Sequence, residues 1–169
     1  MLNVRRPHDP MAELIDELVR AHGRLRSVFE NVNAAVGLSA MESTVLTAVV
    51  ESAVAPTVPQ IGRSLGHARQ VIQRAANMLI SAGLIETAPN PSHKRAPLLL
   101  PTQQGRLLKR QSDAKAADVT GALMRHFDAP KCRRLAGELR GLRGEIEGYL
   151  RAAKSPKPKS GKKKARKRP

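Results

Sequence analysis

The chain has 169 residues, of which 41% are hydrophobic and 2% aromatic, and its formal net charge is +16. This composition fits one domain with an aliphatic core, and it provides too few aromatic side chains to stack the bases of single-stranded nucleic acid. The last 16 residues hold nine of the 30 bases and none of the 14 acids, so the rest keeps 21 bases against 14 acids and is itself basic. Both parts predict a polyanionic partner.

Several classes of protein and site are disfavoured. Cys132 is the single cysteine, which excludes an internal disulfide or a cysteine zinc cluster and indicates a reducing compartment; we expect a passive thiol, with a redox sensor as the alternative. The five histidines are too widely spaced to predict a metal site. No apolar run is long enough to span a bilayer, and the N-terminus lacks a signal-peptide core. We expect a cytoplasmic, nucleoid-associated protein.

The motifs of enzymes are also missing from the sequence. It has no glycine-rich phosphate loop, no paired carboxylates on one face and no metalloprotease or Ser-His-Asp pattern. We therefore expect a protein that is not an enzyme and needs no cofactor.

The N-terminal part predicts an arm and one long helix. Residues 1–10 contain two prolines and little to bury, so we expect a flexible arm. From Met11 to about Val36, apolar side chains recur at steps of three, four and seven, which is typical of an amphipathic helix. These side chains are Leu14, Ile15, Leu18, Leu25, Phe29 and Val32. Gly37 is expected to end the helix.

The next segment predicts a helix-turn-helix. Ser39 and Glu42 form a capping box that opens a second helix, and Thr57 with Gln60 opens a short third helix that ends near Gly66. A fourth helix, from about 68 to 82, has an apolar face and a polar face. The apolar face holds Ala68, Ile72, Ala75, Leu79 and Ile80, and the polar face holds Arg69, Gln70, Gln73, Arg74 and Asn77. The first face predicts core, and the second predicts either a binding surface or a solvated helix face.

A basic hairpin follows the fourth helix. The segments 84–87 and 96–100 flank the turn-forming sequence PNPSHKR, which predicts two strands joined by a basic tip. Pro97 cannot donate to a strand ladder, so it must lie on an edge or at a bulge. Two helices, a turn and a hairpin in this order predict a winged helix-turn-helix over residues 37–102.

Two helices and a basic tail complete the chain. Thr102 caps a fifth helix that reaches about Phe127, and Asp128 starts a sixth that ends near Ala152. The sixth helix has an apolar seam of Leu135, Leu139, Leu142, Ile146 and Tyr149 beside Gly137, Gly141, Gly144 and Gly148. The glycines indicate either close approach of another helix or a weak, frayed helix. Residues 153–169 predict a disordered tail that binds phosphates or only improves solubility.

Residues 12–152 resemble the multiple-antibiotic-resistance-regulator (MarR) family of bacterial transcription factors. The resemblance rests on TVPQIGRSLG before the turn and on LISAGLIETAPNPSHKRAPLLLPTQQGRLL after the fourth helix begins. It implies a mainly α fold with a small β-hairpin wing, and a homodimer built by helices in 11–36 and 103–152. It also implies a pseudo-palindromic double-stranded DNA operator and a small-molecule effector. Two positions depart from the family: His93 replaces an Asp of the wing, and Ala68 replaces a Ser or Thr cap.

The resemblance and the chemistry of DNA grooves together predict the binding residues. Gln pairs with adenine and Arg with guanine in the major groove, so Arg69, Gln70 and Gln73 are expected to read bases. Arg95 at the wing tip is expected to enter the minor groove. The expected phosphate contacts are Thr57, Arg63, Arg74 and Lys94.

We therefore expect a dimeric, sequence-specific transcriptional regulator, and more specifically a repressor. One alternative is an architectural nucleoid protein that binds DNA with little sequence preference and is assisted by its tail. Another is a winged helix used for dimerisation or protein docking, with the tail as the only DNA contact.

Overall fold

A computed structural model describes residues 9–154, and within them the chain forms six helices and one two-stranded antiparallel sheet. The elements in order are α1 (Pro10–Ala34), α2 (Ala40–Val50), α3 (Val58–Leu65), α4 (Arg69–Ser81), β1 (Ile85–Ala88), β2 (Leu98–Pro101), α5 (Gln103–Met124) and α6 (Ala129–Lys154). This confirms the mainly α fold with a hairpin. The tail from 155 onward and residues 1–8 of the predicted arm lie outside the described residues.

Some predicted boundaries were wrong by a few residues. The carboxylate of Asp9 accepts hydrogen bonds from the N–H groups of Met11 and Ala12, so α1 begins at Pro10, inside the predicted arm. At the other end, α6 continues to Lys154 rather than stopping near Ala152. Helices α1 and α5 end two and three residues before the predicted positions.

Side-chain caps begin α2, α3, α5 and α6 at the predicted residues. These are Ser39, Thr57, Thr102 and Asp128. In the first box the Ser39 hydroxyl accepts from the N–H of Glu42 at 3.3 Å, while the Glu42 carboxylate accepts from the N–H of Ser39 at 2.8 Å. These two hydrogen bonds satisfy backbone N–H groups that a helix start leaves without intrahelical partners. Gly66, with φ of 70°, makes the left-handed turn that separates α3 from α4.

The core lies between α2, α3, α4 and the hairpin. Its buried members include Val45, Leu46, Val49, Val58, Ile61, Ile72, Ala75, Ala76, Leu79, Leu84, Ile85 and Leu99. On α4 this corrects two predicted core positions. Ile80 is 36% exposed because it lies beside the buried stripe, and Ala68 is exposed because it precedes the helix. Ala76 is fully buried in their place.

The hairpin is attached to the chain segment before α3. Strand β1 pairs with β2 from Ile85 opposite Pro101 to Ala88 opposite Leu98. The N–H of Leu99 donates to the carbonyl of Pro56 at 2.8 Å, which fixes β2 beside the start of the helix-turn-helix. Pro97 precedes β2 and therefore removes no donor from the strand ladder.

Helix α5 is joined to the winged helix by a close backbone approach. The hydroxyl of Thr102 donates to the carbonyl of Gly83 at 2.7 Å. At Gly105 a Cβ atom would overlap the carbonyl of Leu84, so only glycine fits this position without a backbone shift.

An ion-pair cluster around the buried side chain of Lys109 makes a second connection between α5 and the winged helix. The ammonium of Lys109 lies 2.8 Å from Glu51 Oε1 at the end of α2, and 2.6 and 2.7 Å from the two carboxylate oxygens of Asp113. The Lys109 side chain is only 8% exposed. Burial lowers the pKa of Lys109, but hydrogen bonds and charge attraction from the two carboxylates outweigh it and raise the pKa above its ordinary value. This cluster was not predicted from the sequence.

Two helices expose apolar side chains in the isolated chain. On α1, Ile15, Val19 and Leu25 are each at least half exposed, and Val32 is the buried residue of the helix.

The described chain divides after Ala122 into two compact units, and α6 belongs to the second. On α6, the seam is largely exposed at Leu135, Leu139, Ile146 and Tyr149. A Cβ atom added at Gly141, Gly144 or Gly148 would meet no atom within 4 Å, so these glycines leave room along α6.

Candidate nucleic-acid interface

The outer face of α4 gathers the predicted base-reading residues on one surface. Arg69, Gln70, Gln73, Arg74 and Asn77 line a shallow depression together with Met78. Arg69, Gln70 and Arg74 are exposed and Gln73 is half-buried. The fully buried Ile72 and Leu79 hold the opposite side of the helix in the core. This polar surface therefore stands on a helix whose opposite face is packed in the core.

A second set of basic side chains meets between α3, the start of α4 and the wing. Arg63, Arg69 and Arg95 line one groove, together with Asn90 and His93 of the wing. The residues that line this groove include no carboxylate. The groove is therefore suited to an anion. Lys94 is exposed on the wing and lies outside this groove lining.

Asn90 braces the wing, a role that was not predicted from the sequence. Its side-chain nitrogen donates to the carbonyl of Ala96 at 2.8 Å, and its side-chain oxygen accepts from the N–H of Ser92 at 3.0 Å. The carbonyl of Asn90 also accepts from the N–H of His93. These bonds lie within the loop at the tip of the wing, where His93 replaces the family's Asp. An Asn followed by Pro is a turn signal, so the sequence contained a clue to this role.

Thr57 is buried and caps the start of α3. Its N–H and its hydroxyl both donate to Gln60 Oε1, at 2.7 and 2.8 Å, and the residue is only 6% exposed. Both donors of Thr57 are therefore used by the capping box. The predicted contact of Thr57 with a phosphate would require one of these hydrogen bonds to break.

The start of α4 lacks a side-chain cap, as expected from Ala68. Ala68 has extended backbone geometry, and no side chain bonds to the N–H groups of the first turn. Helix starts carry partial positive charge and bind anions through such groups. The uncapped turn begins at Arg69, which lines the basic groove.

The remaining candidate features are less informative. Cys132 is a half-buried free thiol in α6. Within residues 9–154, no group of three or more His, Cys, Asp or Glu side chains could hold a metal ion. Over the same span, no helix is both long and apolar enough to cross a membrane.

The packed α2–α4 helices, the braced hairpin and the outward polar face of α4 define a winged helix-turn-helix. Residues 36–96 match the family model described as the MarR family. The uncharacterised protein Rv2011c of Mycobacterium tuberculosis is 36% identical over 115 residues, which cover 68% of this chain and 79% of that protein. A protein of Mycobacterium bovis, Mb2034c, matches to the same extent. The chain belongs to the MarR family of transcriptional regulators.

Solved structures share the fold at low sequence identity. A MarR-family transcriptional regulator from Rhodococcus sp. RHA1 is 18% identical, with a TM-score of 0.72 over 80% of this chain and 96% of that one. CouR from Rhodococcus jostii RHA1, bound to p-coumaroyl-CoA, is 20% identical, with a TM-score of 0.68 over 79% and 92%. A MarR mutant from E. coli complexed with operator DNA is 22% identical, with a TM-score of 0.65 over 80% and 99%.

Proposed function

We propose that this chain is a homodimeric repressor that binds a pseudo-palindromic DNA operator, with α4 in the major groove and the wing in the adjacent minor groove. The observation that carries the proposal is the outer face of α4. It presents Arg69, Gln70, Gln73 and Arg74 on a helix whose inner face is fully packed. The E. coli MarR mutant of the same fold was solved with operator DNA.

The base contacts follow from the chemistry of these side chains. Arg69 and Gln70 are exposed in the first turn of α4, and Gln73 follows one turn later. Arg can donate two hydrogen bonds to guanine, whereas Gln can both donate to and accept from adenine. These three residues are the proposed readers of sequence.

The remaining basic residues would hold the duplex in register. We assign Arg63, Arg74 and Lys94 to phosphates, because contacts to phosphate fix orientation without carrying sequence information. The uncapped start of α4 adds backbone donors for one phosphate. Arg95 would enter the minor groove from the wing, where narrow A·T tracts attract a guanidinium group.

The exposed apolar faces of α1 and α6 support the proposed homodimer. Helices in 11–36 and 103–152 would bury these faces against a second copy, leaving residues 37–102 to bind DNA. Close approach to α6 would use the space left by its glycines. Analytical ultracentrifugation tests this step: we expect a dimer at micromolar concentration, and a monomer for the variant Leu139→Glu.

A small-molecule effector would act by changing the separation of the two recognition helices. CouR binds p-coumaroyl-CoA, and BpsR of Bordetella bronchiseptica is regulated in DNA binding by 6-hydroxynicotinic acid. An effector with higher affinity for the conformation that cannot bind DNA would release the operator.

We propose no enzymatic activity for this chain. A DNA-binding role would place the protein with the nucleoid in the cytoplasm.

A competition experiment tests sequence-specific recognition. The wild-type protein is bound to a labelled duplex from its own promoter region and challenged with that duplex or with random duplex. We expect the promoter duplex to compete better, and Gln70→Ala to reduce its advantage through a change at one base position. Gln111→Ala, which truncates an exposed glutamine on α5, is the matched control and should retain the advantage. Equal competition by random duplex would contradict specific recognition.

The charge of the C-terminal end favours a second candidate function, an architectural nucleoid protein. Nine bases in the last 16 residues would bind phosphates whatever the sequence and steepen the salt dependence. Duplex competition with the protein lacking 154–169 separates the candidates. A regulator keeps its preference for the operator while binding every duplex more weakly, whereas an architectural protein shows no preference with or without the tail. Loss of all DNA binding on deletion would instead make the tail the only DNA contact.

A further inference from the structure

One hydrogen bond joins two side chains on the outer face of α4. The side-chain nitrogen of Gln73 donates to the side-chain oxygen of Asn77 at 3.0 Å. The residues are four positions apart, so they stand above one another on the helix. Both line the surface that holds Arg69 and Gln70. The bond therefore lies within the proposed base-reading face.

This bond determines which groups Gln73 can offer to a base. A glutamine amide carries two N–H donors and an oxygen with two lone pairs. The Asn77 oxygen accepts from one N–H of the Gln73 amide, so Gln73 keeps one donor and its full acceptor capacity. Adenine requires this combination, because N7 accepts and the N6 amino group donates in the major groove.

The bond also limits rotation of the amide. The terminal torsion of a free glutamine is broad and roughly twofold, so its oxygen and nitrogen exchange places readily. With its nitrogen held by the Asn77 oxygen, the amide has one preferred orientation. Gln73 is half-buried, which restricts the rest of its side chain as well.

We propose that Asn77 is a positioning residue for DNA recognition, which orients the Gln73 amide for an adenine without reading a base itself. This inference rests on the proposed function, since it requires that Gln73 contacts a base. It adds a specificity-determining residue outside the three proposed readers.

The test compares base preference at each operator position for the wild type, Asn77→Ala, Asn77→Asp, Gln73→Ala and the double variant Gln73→Ala/Asn77→Ala. Asn77→Ala should lower the preference for adenine at the Gln73 position by roughly 1.5- to 2-fold, the size expected for such a side-chain pair. It should leave the Gln70 position unchanged. In the Gln73→Ala background, the second substitution should have no further effect on preference.

Asn77→Asp distinguishes positioning from a general loss of affinity. An aspartate can only accept at this position, so it keeps the proposed direction of the bond. It should retain the adenine preference while its charge weakens binding to all duplexes alike. Loss of preference in Asn77→Asp equal to that in Asn77→Ala would overturn the inference.

Three further outcomes would also overturn it. They are an unchanged preference in Asn77→Ala, a change at a base position that Gln73→Ala does not affect, and an additive effect in the double variant. If the wild-type protein has no base preference, the proposed function fails and the inference fails with it. A wild-type preference that depends on Gln73 but not on Asn77 contradicts the inference and leaves the proposed function standing.

Discussion

The buried ammonium of Lys109 makes the stability of the protein depend unequally on the members of its ion-pair cluster. The Lys109 side chain is 8% exposed, whereas those of Glu51 and Asp113 are 63% and 58% exposed. Removing the lysine leaves two carboxylates that water can solvate. Removing both carboxylates leaves a buried positive charge without a counterion.

The expected costs follow from this difference in exposure. Lys109→Met keeps most of the apolar stem and removes the buried charge, so we expect a loss of about 1 kcal/mol or less. In Glu51→Gln/Asp113→Asn the charge stays buried. Breaking a buried pair in this way costs about 3 to 5 kcal/mol, which we reduce to about 2 to 4 because the amides still accept hydrogen bonds.

Urea unfolding at pH 7 and fixed protein concentration measures these differences. Adding Lys109→Met to the Glu51→Gln/Asp113→Asn variant should restore part of the lost free energy of unfolding, because it removes the unpaired charge. If Lys109→Met is the more destabilising change, or if it worsens the double variant, the charge of Lys109 is not the origin of the asymmetry.

The cluster also predicts a dependence on alkaline pH. The pKa of Lys109 is raised above its ordinary value of 10.5 in the folded protein. A raised lysine pKa stabilises the fold fully below the unfolded pKa, and this contribution is lost as the pH rises through the folded pKa. Above pH 10.5 the wild type should therefore lose more stability than Lys109→Met does. Parallel pH profiles of the two proteins would contradict this assignment.

Substitutions test three further features of the structure. Gly105→Ala should lower the free energy of unfolding by about 3 kcal/mol or more, because the added Cβ atom would overlap the Leu84 carbonyl. The matched change Gly121→Ala should raise the free energy of unfolding by up to about 1 kcal/mol, because nothing lies within 4 Å of the added Cβ atom there. Equal thermal stability of these two variants would refute the close approach. Asn90→Ala should weaken DNA binding in titrations while leaving most of the unfolding free energy intact, and unchanged affinity would show that the wing does not need this brace. Ala68→Ser should raise the unfolding free energy by about 1 kcal/mol by capping α4, whereas no gain would mean that the first turn is already satisfied.

Local sequence signals predicted the elements and the outward face of α4. Ser39 and Thr57 begin their helices as expected, because a capping box involves residues only three positions apart. The helical repeat likewise placed Arg69 and Gln73 on one surface. The use of these residues in DNA binding stays a prediction.

Contacts between distant residues could not be predicted in the same way. Lys109 and Glu51 are 58 positions apart, and nothing in the local pattern of α5 distinguishes this lysine from an exposed one. The burial of Thr57, which is only 6% exposed, depends on residues distant in the sequence, which a capping motif does not show. The Asn90 brace had a local signal, but its partner Ala96 lies across the wing.

Selection of bound duplexes from a random pool, followed by sequencing, tests the central claim that α4 reads base sequence. We predict enrichment of a pseudo-palindrome with half-sites about 10 base pairs apart, the spacing expected when two recognition helices enter successive major grooves. We also predict that Gln70→Ala loses enrichment at one symmetric pair of positions. Efficient retention of duplexes with no enriched sequence would contradict the claim and favour an architectural role.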